Sequence, residues 1–273
     1  MFIMNNYIDT HFHLFLEHSQ FNIDPNNIVV ESISQGVTQM WLASTNRLDI
    51  EKNITFAKKY PETLKVWVGW HPEEFDTYDG KYLETTISVY DNKPSIVGIG
   101  EVGIDLADFI VEKSKLSKAT LLQKQQDIFK NQLNIAQKHS LPVCIHSREA
   151  FNETVEVLES FSNMNFIWHC FNLKAPQTKS LLDKFNNIYF GFNNIITYKS
   201  GEYIKTSILE MPSDKILTET DAPFLAPRPF KYGYNSPEGV IRVYDKIAEI
   251  LEISVNDLKK IVIKNVNSLM DIG

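Results

Sequence analysis

The stretch "NYIDTHFHLF", residues 6–15, is a short run of strand character that ends in two histidines. His11 and His13 are two positions apart, and residues i and i+2 of a strand point to the same side. An open doubly wound sheet would more often carry a glycine-rich phosphate turn after its first strand. The histidine pair instead places polar chemistry at a strand end, as in barrel enzymes.

Seven further apolar, β-rich runs follow, each succeeded by a helical pattern. They are TQMWLAS (38–44), KVWVGW (65–70), SIVGIGEVG (95–103), LPVCIHS (141–147), NFIWHCF (165–171), NIYFGFN (187–193) and DKILTETDA (214–222). Near-continuous apolar strands joined by helical crossovers predict a parallel sheet covered on both faces. Eight such units in 273 residues predict one (β/α)8 TIM-type barrel over residues 1–273, with its active site at the C-terminal ends of the strands.

Two segments between the strands differ in character. In residues 121–140, Leu122, Phe129, Leu133 and Ala136 recur at helical spacing, which predicts an amphipathic helix. Residues 106–120 are the most polar, loop-like stretch, and their sequence assigns them no role.

Composition narrows the class of protein. Hydrophobic residues make up 43% of the chain and aromatic residues 12%, which is typical of a soluble globular protein. No apolar run approaches the roughly 18 residues that span a membrane, and the first residues lack signal-peptide features. Two cysteines cannot form a disulfide framework. We therefore expect a cytoplasmic protein with no membrane partner; the sequence does not determine the oligomeric state, and we favour a monomer.

The net charge of −7 limits how nucleic acid could be bound. A broad phosphate contact needs a basic face, and this chain has no basic run. A nucleic-acid substrate is compatible with this charge if its phosphate is held locally, most simply by metal ions.

Ionisable residues fall at the predicted strand ends. The first strand ends at His11 and His13, the third at His71, the fourth near Glu101, the fifth at His146, the sixth at His169 and the eighth at Asp221. Five of the seven histidines are in this set, and His18 and His139 lie elsewhere. A single histidine at a strand end is usually a hydrogen-bonded structural residue, but the whole set favours metal binding, which would also explain burying two carboxylates.

The residue types suit divalent ions. Imidazole nitrogen and carboxylate oxygen are ligands for Zn²⁺ and for similar ions such as Mg²⁺ or Mn²⁺. One carboxylate can bridge two ions through its two oxygens, and Glu101 lies between two sets of histidines. The sequence therefore predicts two divalent ions, which together clamp the attacking and leaving oxygens of a displacement.

Other polar residues near the strand ends have two interpretations each. His71 is a candidate for substrate contact or for a helix cap. Arg148 is a candidate for a bidentate phosphate contact or for a salt bridge with a barrel helix. Glu219 is expected to face inward and support a ligand, whereas Cys144 and Cys170 are interpreted as packing residues.

Taken together, the motifs DTHFH, GWHP, GEVGID, LPVCIHSREA, WHCF and TETDAPFLAP resemble those of the TatD-like metal-dependent hydrolases. This resemblance runs from about residue 7 to residue 270. The TatD-like hydrolases are a branch of the amidohydrolase-like barrels, and many of them are deoxyribonucleases. It implies that His11, His13 and Asp221 bind one metal and that Glu101 bridges both. It further implies His146 and His169 as ligands of the second metal, and His71 as a contact of the substrate phosphate.

The chain departs from the family pattern in two loops. Asn172 and Leu173 replace the usual Ser-Gly after the sixth strand, and Gly233 and Tyr234 stand where basic residues are expected after the eighth. A basic phosphate contact is therefore missing or is supplied by Arg228 or Lys231, which leaves substrate preference open.

The expected activity is hydrolysis of phosphodiester bonds at DNA or RNA ends, as a 3′-directed exonuclease on single-stranded or frayed ends. Asp221 and Glu101 are the predicted catalytic residues, with Asp221 as general base. An ester or amide hydrolase, such as an aminoacyl-tRNA deacylase, would need similar ligands and stays an alternative. A third hypothesis is a non-catalytic partner protein that retains the barrel.

Overall fold

In the computed structural model, which describes residues 6–15, 24–90, 95–227 and 233–270, eight strands alternate with helices. The strands are β1 (Tyr7–Phe12), β2 (Val37–Ala43), β3 (Leu64–Val68), β4 (Ile96–Asp105), β5 (Val143–Arg148), β6 (Phe166–Trp168), β7 (Ile188–Phe192) and β8 (Ile216–Thr218). The helices are α1 (Pro25–Ser34), α2 (Arg47–Ala57), α3 (Gly80–Tyr90), α4 (Asp108–Ser114), α5 (Lys118–Lys138), α6 (Phe151–Glu159), α7 (Ala175–Lys184), α8 (Ile204–Glu210), α9 (Val240–Leu251) and α10 (Val255–Met270).

The strands form one parallel sheet in sequence order. Each strand pairs with the next, from β1 to β8. The sheet closes through a parallel bridge between Phe12 and Ala222, where the His13 N–H donates to the Ala222 carbonyl at 2.7 Å. The predicted (β/α)8 barrel is therefore confirmed. The assignment of residues 1–273 to a single domain stays a prediction.

The core forms because the strands are buried on both faces, as their near-continuous apolar sequences predict. Large aromatic side chains fill it: Trp41, Trp67, Trp70 and Trp168 are each no more than 1% exposed. None of the helices in the described ranges has the length and apolarity needed to cross a membrane.

Two segments differ from the sequence prediction. β4 extends past Gly103 to Asp105, and its register shifts between Ile99 and Val102, so Glu101 lies inside the strand at an irregularity. Residues 106–120, the polar, loop-like stretch to which the sequence assigned no role, contain α4 and the first turn of α5. Ser117 caps α5 by accepting a hydrogen bond from the Thr120 N–H. The short helix α4 escapes the periodicity criterion because it spans only two turns.

Two buried glutamine side chains of helix α5 form hydrogen bonds with backbone groups beyond β3 and at the end of β4. Gln132 accepts a hydrogen bond from the Trp70 N–H at 2.8 Å and donates one to the Trp70 carbonyl at 3.0 Å. Gln125 does the same for Asp105, at 2.9 and 3.1 Å, and also contacts the Pro72 carbonyl. Backbone groups beyond β3 and at the end of β4 thus have side-chain partners where the sheet ladder stops.

Replacing Gln132 with leucine should leave both backbone groups of Trp70 without these partners in a buried environment. We expect Gln132→Leu to lower the free energy of unfolding by about 2–4 kcal/mol, measured by urea denaturation. Gln137→Leu makes the same chemical change at an exposed position of α5 and is the matched control. Equal stability of the two variants would show that the hydrogen bonds of Gln132 with the Trp70 backbone do not stabilise the fold.

Candidate metal centre

Ionisable side chains from six strands or their C-terminal loops meet at one end of the barrel, around the carboxylate of Glu101. They are His11, His13, His71, Asp105, His146, His169, Glu219 and Asp221. Glu101 is 3% exposed, so its carboxylate lies below the barrel mouth rather than in solvent. The prediction that the strand-end residues lie together agrees with this arrangement.

One oxygen of Glu101 faces the first group of predicted ligands. Glu101 Oε2 lies 3.4 Å from His11 Nε2 and 3.6 Å from His13 Nε2. The same two nitrogens are 3.3 Å apart, and Asp221 Oδ1 is 3.9 and 3.5 Å from them. These four donor atoms surround one small volume.

The other oxygen faces the second group. Glu101 Oε1 lies 2.6 Å from His146 Nδ1, 3.1 Å from His169 Nε2 and 3.7 Å from His71 Nε2. Glu101 therefore presents a different oxygen to each group of histidines, which is the arrangement that a bridging carboxylate requires.

Local backbone geometry brings these side chains inward. His11 and His13 belong to alternate positions at the end of β1 and share one side. Asp221 and Cys170 have left-handed backbone conformations, with φ of 56° and 48°. Such conformations are uncommon for residues other than glycine and are found often at functional sites. At Asp221 the turn is held by its N–H, which donates to the His11 carbonyl at 2.9 Å.

Two carboxylates lie behind the second group of histidines. His146 Nε2 is 3.0 Å from Asp105 Oδ2, and His169 Nδ1 is 3.1 Å from Glu219 Oε1. Glu219 also accepts from the Cys170 N–H at 2.7 Å. A carboxylate on the far nitrogen fixes the tautomer and orientation of a ligating imidazole. Glu219 lies where the sequence predicted, whereas the contact of Asp105 with His146 was not predicted.

The two histidines of the first group have no carboxylate hydrogen-bonded to the ring nitrogen that points away from Glu101 within the described residues. His11 Nδ1 lies 3.3 Å from Cys144 Sγ, and within the described part of the chain His13 Nδ1 has no hydrogen-bond partner. Burial raises the pKa of the Cys144 thiol well above its usual range, and it raises that of Cys170 to about 12. Both cysteines are therefore neutral at ordinary pH, consistent with their interpretation as packing residues.

His71 has the helix-capping geometry that was one of its two predicted roles, and its ring also faces the site. Its Nδ1 accepts from the Glu73 N–H at 3.2 Å and caps the short 3₁₀ helix Pro72–Glu74. Its Nε2 faces Glu101 in the site. Its role in substrate binding stays a prediction.

Arg148 is held within the protein. Its Nε donates to Asp105 Oδ2 at 2.7 Å, and one Nη donates to Glu73 Oε1 at 3.2 Å. Its partners therefore lie at the end of β4 and in the 3₁₀ helix rather than on a barrel helix. The guanidinium is half-buried, and its predicted contact with phosphate stays a prediction.

The two carboxylates that face the first group, Glu101 and Asp221, both have pKa values below their usual ranges. Burial acts to raise the pKa of Glu101, but the imidazoles of His169, His71 and His146 lower it well below its usual range. Burial opposes ionisation of Asp221 as well, yet its hydrogen bond with His13 leads the effects that lower its pKa.

The imidazoles respond to these charges. Burial acts to lower the pKa of His169, but Glu101 and Glu219 raise it well above its usual range. Burial lowers the pKa of His71 to about 3. The buried negative charge thus draws protons onto some histidines, as expected where carboxylates are gathered to hold a cation.

The residues present fit divalent metal ions. The donor atoms of His11, His13 and Asp221 lie within 4.8 Å of one another, and so do those of His11, Glu101 and His169. The atoms are nitrogens and carboxylate oxygens, which borderline and hard divalent ions bind. Cations there would stabilise the buried carboxylates of Glu101 and Asp221, whose pKa values are lowered.

Sequence reasoning missed Asp105 and Glu73. Asp105 is the last residue of the GEVGID motif and of β4, so its position at a strand end was a usable signal. Glu73 lies in a 3₁₀ turn and reaches Arg148 across 75 positions of sequence, which no local pattern indicates. His18, Arg228 and Lys231 lie outside the described residues.

A parallel barrel with a buried carboxylate between two groups of imidazoles defines a metal-dependent hydrolase of the (β/α)8 class. The family model described as TatD related DNase matches residues 8–271 of the chain. The chain therefore belongs to the TatD related DNase family, as its motifs predicted.

Individual relatives cover most of the chain. YabD of Bacillus subtilis, named an uncharacterized metal-dependent hydrolase, is 29% identical over 267 residues, which cover 97% of this chain and 99% of YabD. The 3′-5′ ssDNA/RNA exonuclease TatD of Salmonella typhimurium is 28% identical over 216 residues, 78% of each chain. The crystal structure of YjjV, a TatD homologue of Escherichia coli K12, superposes with a TM-score of 0.81 at 22% identity, covering 98% and 99% of the two chains, and shows the shared fold.

Replacing Asp105 with asparagine should remove the negative charge beside His146 Nε2 and weaken the hydrogen bond that Arg148 donates to this side chain. We expect Asp105→Asn to weaken metal binding by about 10- to 100-fold, the usual effect of losing such a partner. Metal affinity is measured by competition with a chromogenic chelator. Asp183→Asn, on the exposed surface of α7, is the control and should bind as the wild type does. Unchanged affinity in Asp105→Asn would show that the carboxylate does not support a ligand.

Proposed function

We propose that this protein is a metal-dependent exonuclease that removes nucleotides from the 3′ ends of single-stranded or frayed DNA or RNA. The observation that carries the proposal is Glu101, a buried and ionised carboxylate whose two oxygens face two separate groups of histidines. A two-metal centre of this kind suits displacement at phosphorus.

The family supports the reaction class. The chain belongs to a family described as DNases, and one relative with 78% coverage is named a 3′-5′ ssDNA/RNA exonuclease. Another relative, which matches almost the whole chain, is named a metal-dependent hydrolase. The net charge of −7 agrees with a phosphate held in the site rather than along a basic surface.

Two divalent ions, Zn²⁺, Mg²⁺ or Mn²⁺, would be held by residues already grouped in the structure. His11, His13 and Asp221 would hold the first and His146 and His169 the second, with Glu101 contributing one oxygen to each. When bound, such ions lower the pKa of water and neutralise charge on phosphoryl oxygens.

Asp221 is the residue placed to accept a proton. Its side chain is 15% exposed, against 4% for Glu101, so it lies nearer the barrel mouth where water enters. Because its pKa is below the usual range for aspartate, it is ionised at neutral pH. It can therefore take the proton of the attacking water as general base.

His71 is placed to donate a hydrogen bond to the substrate. Its pKa of about 3 keeps the imidazole neutral at pH 7. Since Nδ1 accepts from the Glu73 N–H, the proton of the neutral ring is on Nε2, which faces the site. That N–H can bind a phosphoryl oxygen without adding a charge beside the metal ligands.

The proposal is tested with protein stripped of metal and then reconstituted with each ion. Single-stranded oligonucleotides labelled at either end, blunt duplexes and an aminoacyl ester serve as substrates. A 3′-directed exonuclease releases the 3′ label at once as a mononucleotide and shortens the 5′-labelled strand stepwise. Cleavage of the ester alone would establish the deacylase alternative, and inactivity with every ion would establish a non-catalytic barrel.

Two substitutions separate proton transfer from metal binding. We expect Asp221→Asn to reduce turnover by about 10²–10⁴-fold, because it removes the proton acceptor. Most metal should be retained, because Glu101 and four histidines remain. Glu101→Ala should lose both metal and turnover, because the carboxylate between the two groups is gone.

Metal content and turnover are measured on the same preparations. Asp183→Asn and Glu156→Ala, both at exposed helical positions, control for the chemical changes. Near-wild-type turnover in a fully metallated Asp221→Asn protein would refute the assignment of the general base.

A further inference from the structure

Two phenylalanine side chains are exposed beside the metal centre. Phe109 is 55% exposed and Phe224 is 46% exposed, whereas most large aromatic side chains of the barrel are buried. An exposed aromatic ring beside a polar site offers a surface on which an apolar face of a ligand can be removed from water.

Phe109 lies next to the second group of ligands. It is the second residue of α4, which begins just beyond the end of β4. The guanidinium of Arg148 lies over its ring, 4.8 Å from the centroid. Arg148 is bonded to Asp105, and Asp105 is bonded to His146. Because the guanidinium covers one face, the solvent-exposed area is on the remainder of the ring.

Phe224 lies next to the first group. It follows Asp221 by three residues, and its N–H donates to the Asp221 carbonyl at 3.0 Å. Its ring centroid is 6.3 Å from that of His13, in an edge-to-face arrangement. A short turn thus ties this ring to the predicted general base.

The two rings are on opposite sides of the barrel mouth. Phe109 follows β4 and Phe224 follows β8, and these strands are four places apart in a closed sheet of eight. Glu101 lies between the two groups that the rings adjoin. A strand whose phosphate is bound at Glu101 would therefore present its neighbouring bases toward the two rings.

We infer that Phe109 and Phe224 are stacking platforms for the two nucleobases that flank the scissile phosphate. The inference rests on the proposed function and names how this site holds its substrate. Stacking is tolerant of sequence because every base has an aromatic face. It supplies binding free energy that an acidic chain does not obtain from a basic surface, and it suits an exonuclease that accepts each base in turn.

Kinetics of the Phe109→Leu and Phe224→Leu variants test the inference. Leucine keeps an apolar side chain but removes the aromatic face. Each variant should lose about 5- to 150-fold in kcat/KM on a single-stranded oligonucleotide, the range for one stacked base. The loss should fall mainly on KM, and metal content should stay at the wild-type level. Phe109→Trp and Phe224→Trp should retain activity.

Abasic substrates identify which base each ring contacts. A tetrahydrofuran residue replaces the nucleoside on one side of the scissile phosphate or on the other. Each leucine variant should show its loss on intact substrate and should equal the wild type on one of the two abasic substrates. The same fold-loss on intact and on both abasic substrates would overturn the inference.

Binding of metal-loaded protein to an oligonucleotide with a hydrolysis-resistant phosphorothioate at the scissile linkage gives a readout that does not depend on turnover. An oligonucleotide with 2-aminopurine at either flanking position should change fluorescence on binding wild-type protein, and less on binding the matching leucine variant. Leu209→Ala, at a residue as exposed as Phe109 but on α8, is the control and should behave as the wild type does. No fluorescence change with wild-type protein would overturn the stacking inference.

The two proposals fail in different ways. A wild-type protein that cleaves no phosphodiester with any metal contradicts the proposed function. A wild-type protein that cleaves oligonucleotides, with leucine variants of unchanged KM, contradicts the stacking platforms alone.

Discussion

Burial of the Glu101 carboxylate is the constraint on which the active end of the barrel depends. An ionised carboxylate in a protein interior is costly unless it is paired. Here it is only 3% exposed and remains ionised because imidazoles adjoin both of its oxygens. Those imidazoles come from four different strands or strand ends, so the charge is stabilised only when the barrel is assembled. The irregular register of β4 places Glu101 in the middle of that ring.

Closure of the sheet and assembly of the first ligand group use the same residues. The His13 N–H bonds to Ala222, and the Asp221 N–H bonds to His11, across the β1–β8 seam. Deeper in the seam, Asp9 accepts from both the N–H and the hydroxyl of Thr220. The elements furthest apart in sequence therefore meet at the candidate metal centre. A defect where β1 meets β8 would therefore displace His13 and Asp221 together.

The sequence predicted the barrel and the grouping of its strand-end histidines because both follow from local patterns. Alternation of apolar strands with helices identifies the fold, and parallel strands bring their ends to one edge. The contacts of Asp105 and Glu73 were beyond such reasoning. They depend on the extension of β4 to Asp105 and on a 3₁₀ turn that brings Glu73 to Arg148 from a distant part of the chain. Pattern analysis treats residues 106–120 as a loop, so the exposed position of Phe109 could not be inferred either.

The two groups of predicted ligands differ in the charged side chains that lie behind them. In the second group, His146 and His169 each have a carboxylate on the far nitrogen. In the first group, His11 adjoins a neutral thiol, and within the described residues the far nitrogen of His13 has no hydrogen-bond partner. A cation in the second group would therefore be held more firmly than one in the first group. Asp221 is also the more exposed of the two site carboxylates that face the first group, at 15% against 4% for Glu101. This greater exposure supports Asp221 as the proposed general base, because an attacking water can reach it from the barrel mouth.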